Sequence, residues 1–137
     1  MKYLAILVLV GAAAFPAFAQ YSKDYAGCSD AAKTQTEMNA CAGAEATRAD
    51  KQLNDVYAQV LAMAAKMPEG VAKVKIAERA WIAFRDAYTE ATYPAKDKQE
   101  EYGSMYALDV ALLRAKLTRQ QISALQDIRN RLARTNR

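Results

Sequence analysis

Apolar residues recur at intervals of three and four along most of the chain, and few prolines or glycines interrupt them. This spacing is typical of amphipathic helices. It predicts a first helix over residues 35–67 and a second over residues 71–93, with Pro68 and Gly70 between them. The apolar stripe of the second helix consists of Val71, Val74, Ala77, Trp81, Phe84 and Tyr88. At this spacing, Trp81 and Phe84 are expected in the core.

Two capping-box patterns indicate helix starts. Thr34 and Glu37 precede the first helix, where the threonine hydroxyl can accept from a backbone N–H and the glutamate can return a bond. Thr118 and Gln121 repeat the pattern and predict a break between a third and a fourth helix. One continuous helix through Thr118 is the alternative.

The segment ahead of the third helix is polar. Residues 95–101 hold no apolar side chain larger than alanine, and are predicted to form an exposed connection. Gly103 and Ser104 then offer a cap for the third helix. No stretch shows the sustained alternation of a strand. The sequence therefore predicts an all-α fold, a small antiparallel bundle of three to four helices.

The first 19 residues have the pattern of a secretory signal segment. Lys2 precedes an apolar run over residues 3–15, and Ala17 and Ala19 supply the small residues of a cleavage site. No cysteine follows that site directly, which argues against a lipid-anchored protein. No later segment approaches the roughly 20 apolar residues that a membrane-spanning helix needs. We expect export to a bacterial periplasm or secretion.

Removing 19 residues from 137 leaves 118, which suits one domain. We expect residues 20–137 to form a single helical domain with a basic C-terminal helix or tail. Residues 114–137 hold 7 Lys and Arg against 1 acidic residue, whereas residues 20–113 hold 11 against 14. A basic tail can bind anionic lipid, cell-wall polymers or nucleic acid. Export makes nucleic acid the least expected partner, and a solvated helix face is the simpler interpretation.

The chain contains no histidine, which narrows the candidate chemistry. Ser-His-Asp, Cys-His and imidazole-ligated zinc sites all need an imidazole and are excluded. Paired carboxylates are the remaining general acid–base resource, and we interpret them as structural. The candidates within the predicted helices are Glu37, Asp50, Asp55, Glu78 and Asp86. We expect a protein that is not an enzyme and holds no cofactor or metal.

Cys28 and Cys41 are the two cysteines of the chain. An oxidising compartment lets such a pair form a stable disulfide. Closing a loop of about 14 residues would stabilise the fold by about 3 kcal/mol in the chain-entropy account. A redox or metal pair is the alternative, but thioredoxin-type chemistry uses Cys-x-x-Cys and structural zinc uses four ligands.

Several short and unusual sequence motifs follow one another along the mature chain. They are Cys28, Thr34-Gln35-Thr36-Glu37-Met38-Asn39, Cys41, Ala49-Asp50, Leu53-Asn54, Tyr57, Arg79-Ala80-Trp81-Ile82-Ala83-Phe84-Arg85-Asp86-Ala87, Gly103-Ser104, Leu117-Thr118-Arg119-Gln120 and Leu125. Together they resemble the LprI-type lysozyme inhibitor domain, a small secreted or periplasmic helical domain of bacteria. The resemblance implies that the chain binds a lysozyme without catalysis.

The chain departs from this family pattern at one point. Many members carry a second cysteine pair, and the corresponding neighbourhoods here hold Tyr88-Thr89 and Leu112-Leu113. We therefore expect packing alone to hold the second and third helices in place.

Some polar residues of these strings lie one helical turn apart, as Asp50 and Asn54 do. We expect them to form a structural polar network between the first and second helices, with Arg85 paired to Asp50 or Asp86. The full predicted network comprises Glu37, Asn39, Asp50, Asn54, Trp81, Arg85 and Asp86.

Partner binding is expected elsewhere on the chain. Lysozymes are usually cationic, so an inhibitor is expected to present negative charge at the contact. Asp97, Glu100 and Glu101 on the exposed connection are the candidate partner-binding residues. A function of another class is a cell-envelope adaptor or structural module with a different periplasmic partner. The sequence leaves the class of lysozyme and the oligomeric state open.

Overall fold

The computed structural model describes residues 21–135, so the predicted signal segment lies outside the described residues. Within this range the chain forms helices and no strand, which confirms the predicted all-α fold. The helices are α1 (Lys23–Ala31), α2 (Gln35–Ala64), α3 (Gly70–Thr92), α4 (Lys98–Tyr102) and α5 (Tyr106–Thr135), with a 3₁₀ turn at Gly103–Met105. None of these helices is long and apolar enough to cross a membrane.

α2 begins where the capping box predicts. Thr34 Oγ1 accepts from the backbone N–H of Glu37 at 3.2 Å, and Glu37 Oε2 accepts from the backbone N–H of Thr34 at 3.0 Å. In the turn into α3, Glu69 adopts a left-handed φ of 57°. The next position requires glycine, because a Cβ on Gly70 would lie 2.3 Å from the carbonyl oxygen of Ala64.

The predicted break at Thr118 is wrong, and α5 runs through it without interruption. Thr118 is 1% exposed in the middle of this helix. Its hydroxyl donates to Asp50 Oδ1 on α2 at 3.3 Å, so the polar side chain finds its partner on a neighbouring helix. The Thr-x-x-Gln pattern therefore reflects an interhelical contact, and the predicted third and fourth helices are one.

Two short helices are absent from the sequence prediction. α1 precedes α2, and Ser22 caps it by accepting from the backbone N–H of Tyr25 at 3.1 Å. α4 lies within the predicted connection, where Asp97 accepts from the backbone N–H of Glu100 at 2.9 Å. Neither helix buries a residue, so neither has the apolar periodicity on which the prediction depended.

The three long helices form an up-down-up bundle. At one end, Asn39 Nδ2 on α2 donates to the carbonyl oxygen of Ser104, just before α5 begins, at 3.2 Å. At the other end, Arg129 Nη1 on α5 donates to Gln59 Oε1 on α2 at 2.7 Å. α2 and α5 therefore run parallel, and α3 runs antiparallel to both. The core cluster consists of Leu53, Val56, Val60, Ala64, Val74 and Leu125.

α3 is the least buried of the long helices. Val74 and Glu78 are buried and Trp81 packs against the core cluster, as expected of the tryptophan. Phe84, also predicted to lie in the core, is 53% exposed, and that prediction is wrong. The apolar stripe of α3 is wider than the surface that α2 and α5 cover, so one side of the stripe remains outside the core.

The predicted disulfide between Cys28 and Cys41 is present, with the two Cα atoms 5.7 Å apart. It joins α1 to the second turn of α2. Cys41 is 3% exposed, whereas Cys28 lies on the surface. The bond therefore ties a surface helix to the buried side of α2.

Replacing both cysteines, Cys28→Ser with Cys41→Ser, should lower the free energy of unfolding by about 3 kcal/mol, because the unfolded chain regains the entropy that the closed loop removes. Urea unfolding of the oxidised protein and the double variant measures this difference. Reduced wild-type protein is the matched control and should behave as the double variant does. Equal unfolding midpoints for oxidised and reduced protein would contradict the prediction.

Candidate functional site

A groove between α2 and α3 encloses about 450 Å³ and gathers four residues of the predicted polar network. Those four are Asp50, Asn54, Trp81 and Arg85. The remaining lining residues are Leu53, Tyr57, Lys75, Glu78, Arg79 and Ile82. The groove therefore combines two aromatic rings with charged side chains of both signs. It is the first candidate site that the geometry offers.

Trp81 and Arg85 occupy the α3 side of this groove. The guanidinium carbon of Arg85 lies 5.3 Å from the centroid of the Trp81 ring, within the range of a cation–π contact. Arg85 also donates from Nε to Asp86 Oδ1 at 2.9 Å, and Arg114 on α5 approaches the same oxygen at 3.6 Å. The aromatic ring is thus covered by an arginine whose charge is already paired.

The α2 side of the groove is anchored to a different helix. Asp50 accepts from Thr118 on α5, whereas Arg85 binds Asp86 on its own helix. Asn54 is exposed at the rim of the groove. These contacts link both α2 and α3 to α5. The expected direct link between α2 and α3 through Asp50 and Arg85 is replaced by two contacts with α5. Asp50 connects α2 to Thr118, and Asp86 connects α3 to Arg114.

The two remaining members of the predicted network lie about three helical turns before Asp50 on α2. Glu37 closes the capping box, and hydrogen bonds from the backbone N–H groups of Lys33 and Thr34 lower the pKa of its carboxyl. Asn39 accepts from Gln35 Nε2 at 2.7 Å and donates to the turn before α5. They stabilise the start of α2 and are separate from the groove.

Sequence reasoning missed the most buried charged group among residues 21–135, Glu45 at 0% exposed. Its carboxylate accepts from the backbone N–H of Ser22 at 2.7 Å and from the hydroxyl of the same serine. Arg48 Nη2 lies 3.0 Å away, and Arg119 of α5 also donates to it. One carboxylate therefore joins α2, α5 and the residue that caps α1.

A signal for Glu45 exists in the sequence. It lies four residues after Cys41 and four before Ala49, both buried, so it occupies the apolar face of α2. A glutamate at such a position needs charged partners from other helices. Burial alone raises the pKa of Glu45, but the hydrogen bonds from Ser22 and Arg48 and the charge of Arg119 outweigh it and lower the pKa.

The candidate partner-binding residues form one acidic turn. Asp97, Glu100 and Glu101 are all exposed at or within α4. Asp97 also caps the helix, so its side chain has a structural role there. Lys98 in the same turn binds Glu90 at 2.9 Å, which leaves the three carboxylates as the outward charge of α4. We call this surface the acidic turn.

Neither the groove nor the acidic turn has the donor set of a metal centre. Within the described part of the chain, no group of three or more Cys, Asp or Glu side chains is placed to hold a metal ion. The chemistry these surfaces offer is therefore that of charge, hydrogen bonding and aromatic contact.

Comparison with known proteins assigns a family to this fold. A family model described as "Lysozyme inhibitor LprI" matches residues 28–125. That span includes the disulfide, the groove and the acidic turn. No curated protein and no solved structure matched the chain.

Glu45→Gln should lower the free energy of unfolding by about 3 kcal/mol at neutral pH, because two arginines lose their buried carboxylate partner. The pKa of Glu45 is lowered in the fold, so its contribution is complete above the pKa of an unfolded glutamate, about 4.3. It is lost as the pH falls through the folded-state pKa. Wild-type stability should therefore fall more steeply with acid than that of the variant.

Urea unfolding at pH 7 and at steps down to about pH 3 measures both effects. The matched control is Asp55→Asn, which removes an exposed carboxylate paired with Lys51 at 2.8 Å. That control should change stability by less than about 1 kcal/mol. If Glu45→Gln and the control behave alike, the buried carboxylate does not have the structural role described.

Arg85→Ala should lower the free energy of unfolding by about 1–3 kcal/mol, because it uncovers Trp81 and leaves Asp86 with a weaker partner. Thermal unfolding measures the loss. Arg79→Ala is a suitable control, since Arg79 lines the same groove but is exposed. An unchanged melting temperature together with lost partner binding would make Arg85 a functional contact instead.

Proposed function

The chain belongs to the LprI lysozyme inhibitor family, and we propose on that basis that it is an extracytoplasmic protein that binds a lysozyme-like muramidase and blocks it without catalysis of its own. The family match over residues 28–125 carries the proposal. The disulfide supports an oxidising compartment, since such bonds persist mainly outside the cytosol. The absence of histidine supports a binding role over most hydrolytic chemistry.

The acidic turn is the contact surface that charge favours. A cationic enzyme is attracted to exposed carboxylates, and such attraction raises the association rate. Asp97 caps α4, and Glu100 and Glu101 lie within its first turn, so the three carboxylates are close together at one exposed helical turn. They present negative charge without needing to rearrange the bundle. Inhibition then requires only that the bound protein covers the cleft of the enzyme.

The positive net charge of the chain does not oppose this contact, because the charges are separated along the bundle. α4 lies just before the start of α5, whereas Arg129, Arg131 and Arg134 lie near the end of that 30-residue helix. A helix of this length spans about 45 Å. The screening length at physiological salt is about 8 Å, so the basic end has little effect on an enzyme at the acidic turn.

Neutralising the acidic turn should therefore slow binding of a cationic lysozyme. The change is Asp97→Asn with Glu100→Gln and Glu101→Gln, in which the asparagine retains a capping oxygen for α4. We expect the wild-type protein to inhibit lysis of cell-wall substrate at one-to-one stoichiometry. The triple variant should associate about tenfold more slowly at low salt, and the difference should shrink as salt rises.

A matched control removes the same charge elsewhere, by Asp30→Asn, Asp55→Asn and Asp127→Asn, three exposed carboxylates outside α4. This control should retain the wild-type association rate. Equal slowing in both variants would show that total charge matters and the acidic turn does not. If neither animal-type nor bacterial-type lysozymes are bound at low salt, the inhibitor proposal fails and an envelope adaptor becomes the preferred function.

A further inference from the structure

The groove between α2 and α3 has polar groups that the fold does not use. Lys75 and Arg79 lie one helical turn apart on its α3 side, and both are exposed. Neither has an acidic partner among residues 21–135. On the α2 side, Asn54 is exposed and has no hydrogen-bond partner within the same range. These side chains are therefore available to a ligand without breaking a contact that stabilises the bundle.

The other charged groups of the α3 wall are already paired. Glu78 is 7% exposed, and its Oε2 accepts from Gln121 Nε2 on α5 at 2.8 Å. Arg85 Nη2 lies 2.8 Å from Asp86 Oδ1. The two free cations at the rim therefore set the charge that a ligand meets on this wall.

Two aromatic rings form part of the groove wall. Trp81 and Tyr57 are half-buried, since each packs in part against the core cluster and also lines the groove. Aromatic surfaces contact the C–H faces of sugar rings, while nearby amides and carboxylates bind the hydroxyl groups. Asn54 and Asp50 are placed for this second role. Thr118 donates to Oδ1 of Asp50, which leaves the other oxygen of this exposed carboxylate available.

The antiparallel packing of α2 and α3 separates these groups along the groove. Lys75 and Arg79 lie near the beginning of α3 and hence toward Tyr57, whereas Asp50 lies toward the later turns of α3. The α3 wall extends over residues 75–85, a length of about 15 Å. This is the length of a short oligosaccharide. The enclosed volume of about 450 Å³ is also within the range of small-ligand sites.

We propose that the groove binds an acidic saccharide, a short glycan in which one sugar carries a carboxylate. The carboxylate lies between Lys75 and Arg79, because an ammonium and a guanidinium group form strong charge-assisted hydrogen bonds with such an anion. The ring faces contact the two aromatic side chains, and the hydroxyl and acetamido groups bind Asn54 and Asp50. The muramic acid of bacterial cell-wall glycan has this chemistry.

A peptide fits this groove less well. Both walls are α-helices, whose backbone N–H and C=O groups are hydrogen-bonded within the helix. An extended peptide therefore finds no strand edge with which to pair. An amphipathic helix needs an apolar groove, whereas six of the ten lining residues here carry a charge or an amide. Recognition through side chains and ring faces favours the saccharide.

This inference goes beyond the proposed inhibition, because glycan binding requires no lysozyme. The groove shares no residue with the acidic turn. A protein held on the cell wall is concentrated where a muramidase acts, and it can also protect the wall by covering it. The two proposals therefore need separate assays, one with saccharide and no lysozyme, the other with lysozyme and no cell wall.

Trp81 is the only tryptophan of the chain, so its fluorescence reports on the groove. The probe is the disaccharide of N-acetylglucosamine and N-acetylmuramic acid, titrated into the exported protein without lysozyme. Di-N-acetylchitobiose, which has the same two rings and no carboxylate, is the comparison. We expect a saturable change with the acidic disaccharide and an affinity about tenfold lower for the neutral one.

Variants test the role of each group. Lys75→Gln with Arg79→Gln should lower the affinity for the acidic disaccharide about tenfold, to that of di-N-acetylchitobiose, because the carboxylate loses both cations. The matched control, Lys66→Gln with Lys116→Gln, removes two exposed cations outside the groove and should bind as the wild type does. Asn54→Ala should weaken both saccharides alike. Far-ultraviolet circular dichroism establishes that each variant is folded.

No fluorescence change and no heat of binding in calorimetry with the acidic disaccharide overturn the proposal. Equal weakening in the control variant also overturns it, since charge outside the groove would then be responsible. Triglutamate that binds as tightly as the disaccharide assigns the groove to an acidic peptide instead. The triple variant of the acidic turn should bind the disaccharide as the wild type does, so failure of the inhibitor proposal leaves this result unchanged.

Discussion

The buried carboxylate of Glu45 is the interaction that sets the arrangement of the other elements. Removing a carboxylate from water is costly, and only several well-placed partners offset that cost. The partners of Glu45 come from three places: the residue that caps α1, the next turn of α2, and Arg119 near the middle of α5. A shift of α5 along α2 would separate this charge from its arginine. The register of the parallel helices α2 and α5 is thereby fixed at one point. The apolar contacts on either side of that point supply the buried surface area.

The division of the surface follows from that arrangement. α2 and α5 contribute most of the buried residues of the described chain, and α1 is held by both a disulfide and the hydrogen bonds from Ser22. α3 contributes only Val74, Glu78 and Thr89 as buried residues. Its remaining surface forms one wall of the groove and otherwise faces solvent. The residues that determine the fold and those available for binding are therefore largely on different helices.

Sequence periodicity predicted the elements that bury an apolar face and failed for those that do not. The predicted bounds of α2 and α3 lie within three residues of the observed ones, because their apolar spacing and the capping box at Thr34 both reflect local structure. α1 and α4 bury nothing and gave no such signal. The predicted break at Thr118 failed for another reason: a threonine can satisfy its hydroxyl across a helix interface, and a local pattern cannot show that.

The polar residues show the same limit. Cys28 and Cys41 could be paired because they are the only candidates, and Arg85 was correctly expected to bind Asp86 as one of two partners. Glu45 was overlooked although its place between buried positions on α2 distinguishes it. Its partners on other elements lie 23 and 74 residues away, a distance that periodicity does not span.

The parallel pairing of α2 with α5 also affects how the chain folds, because Asp50 meets Thr118 across 68 residues and Gln59 meets Arg129 across 70. A chain that is synthesised from its amino terminus cannot form the interface between α2 and α5 until α5 has been made. The principal interface therefore joins segments about 70 residues apart in sequence, which slows folding relative to a helical protein with mainly local contacts, and its final folding step begins only after α5 has been synthesised.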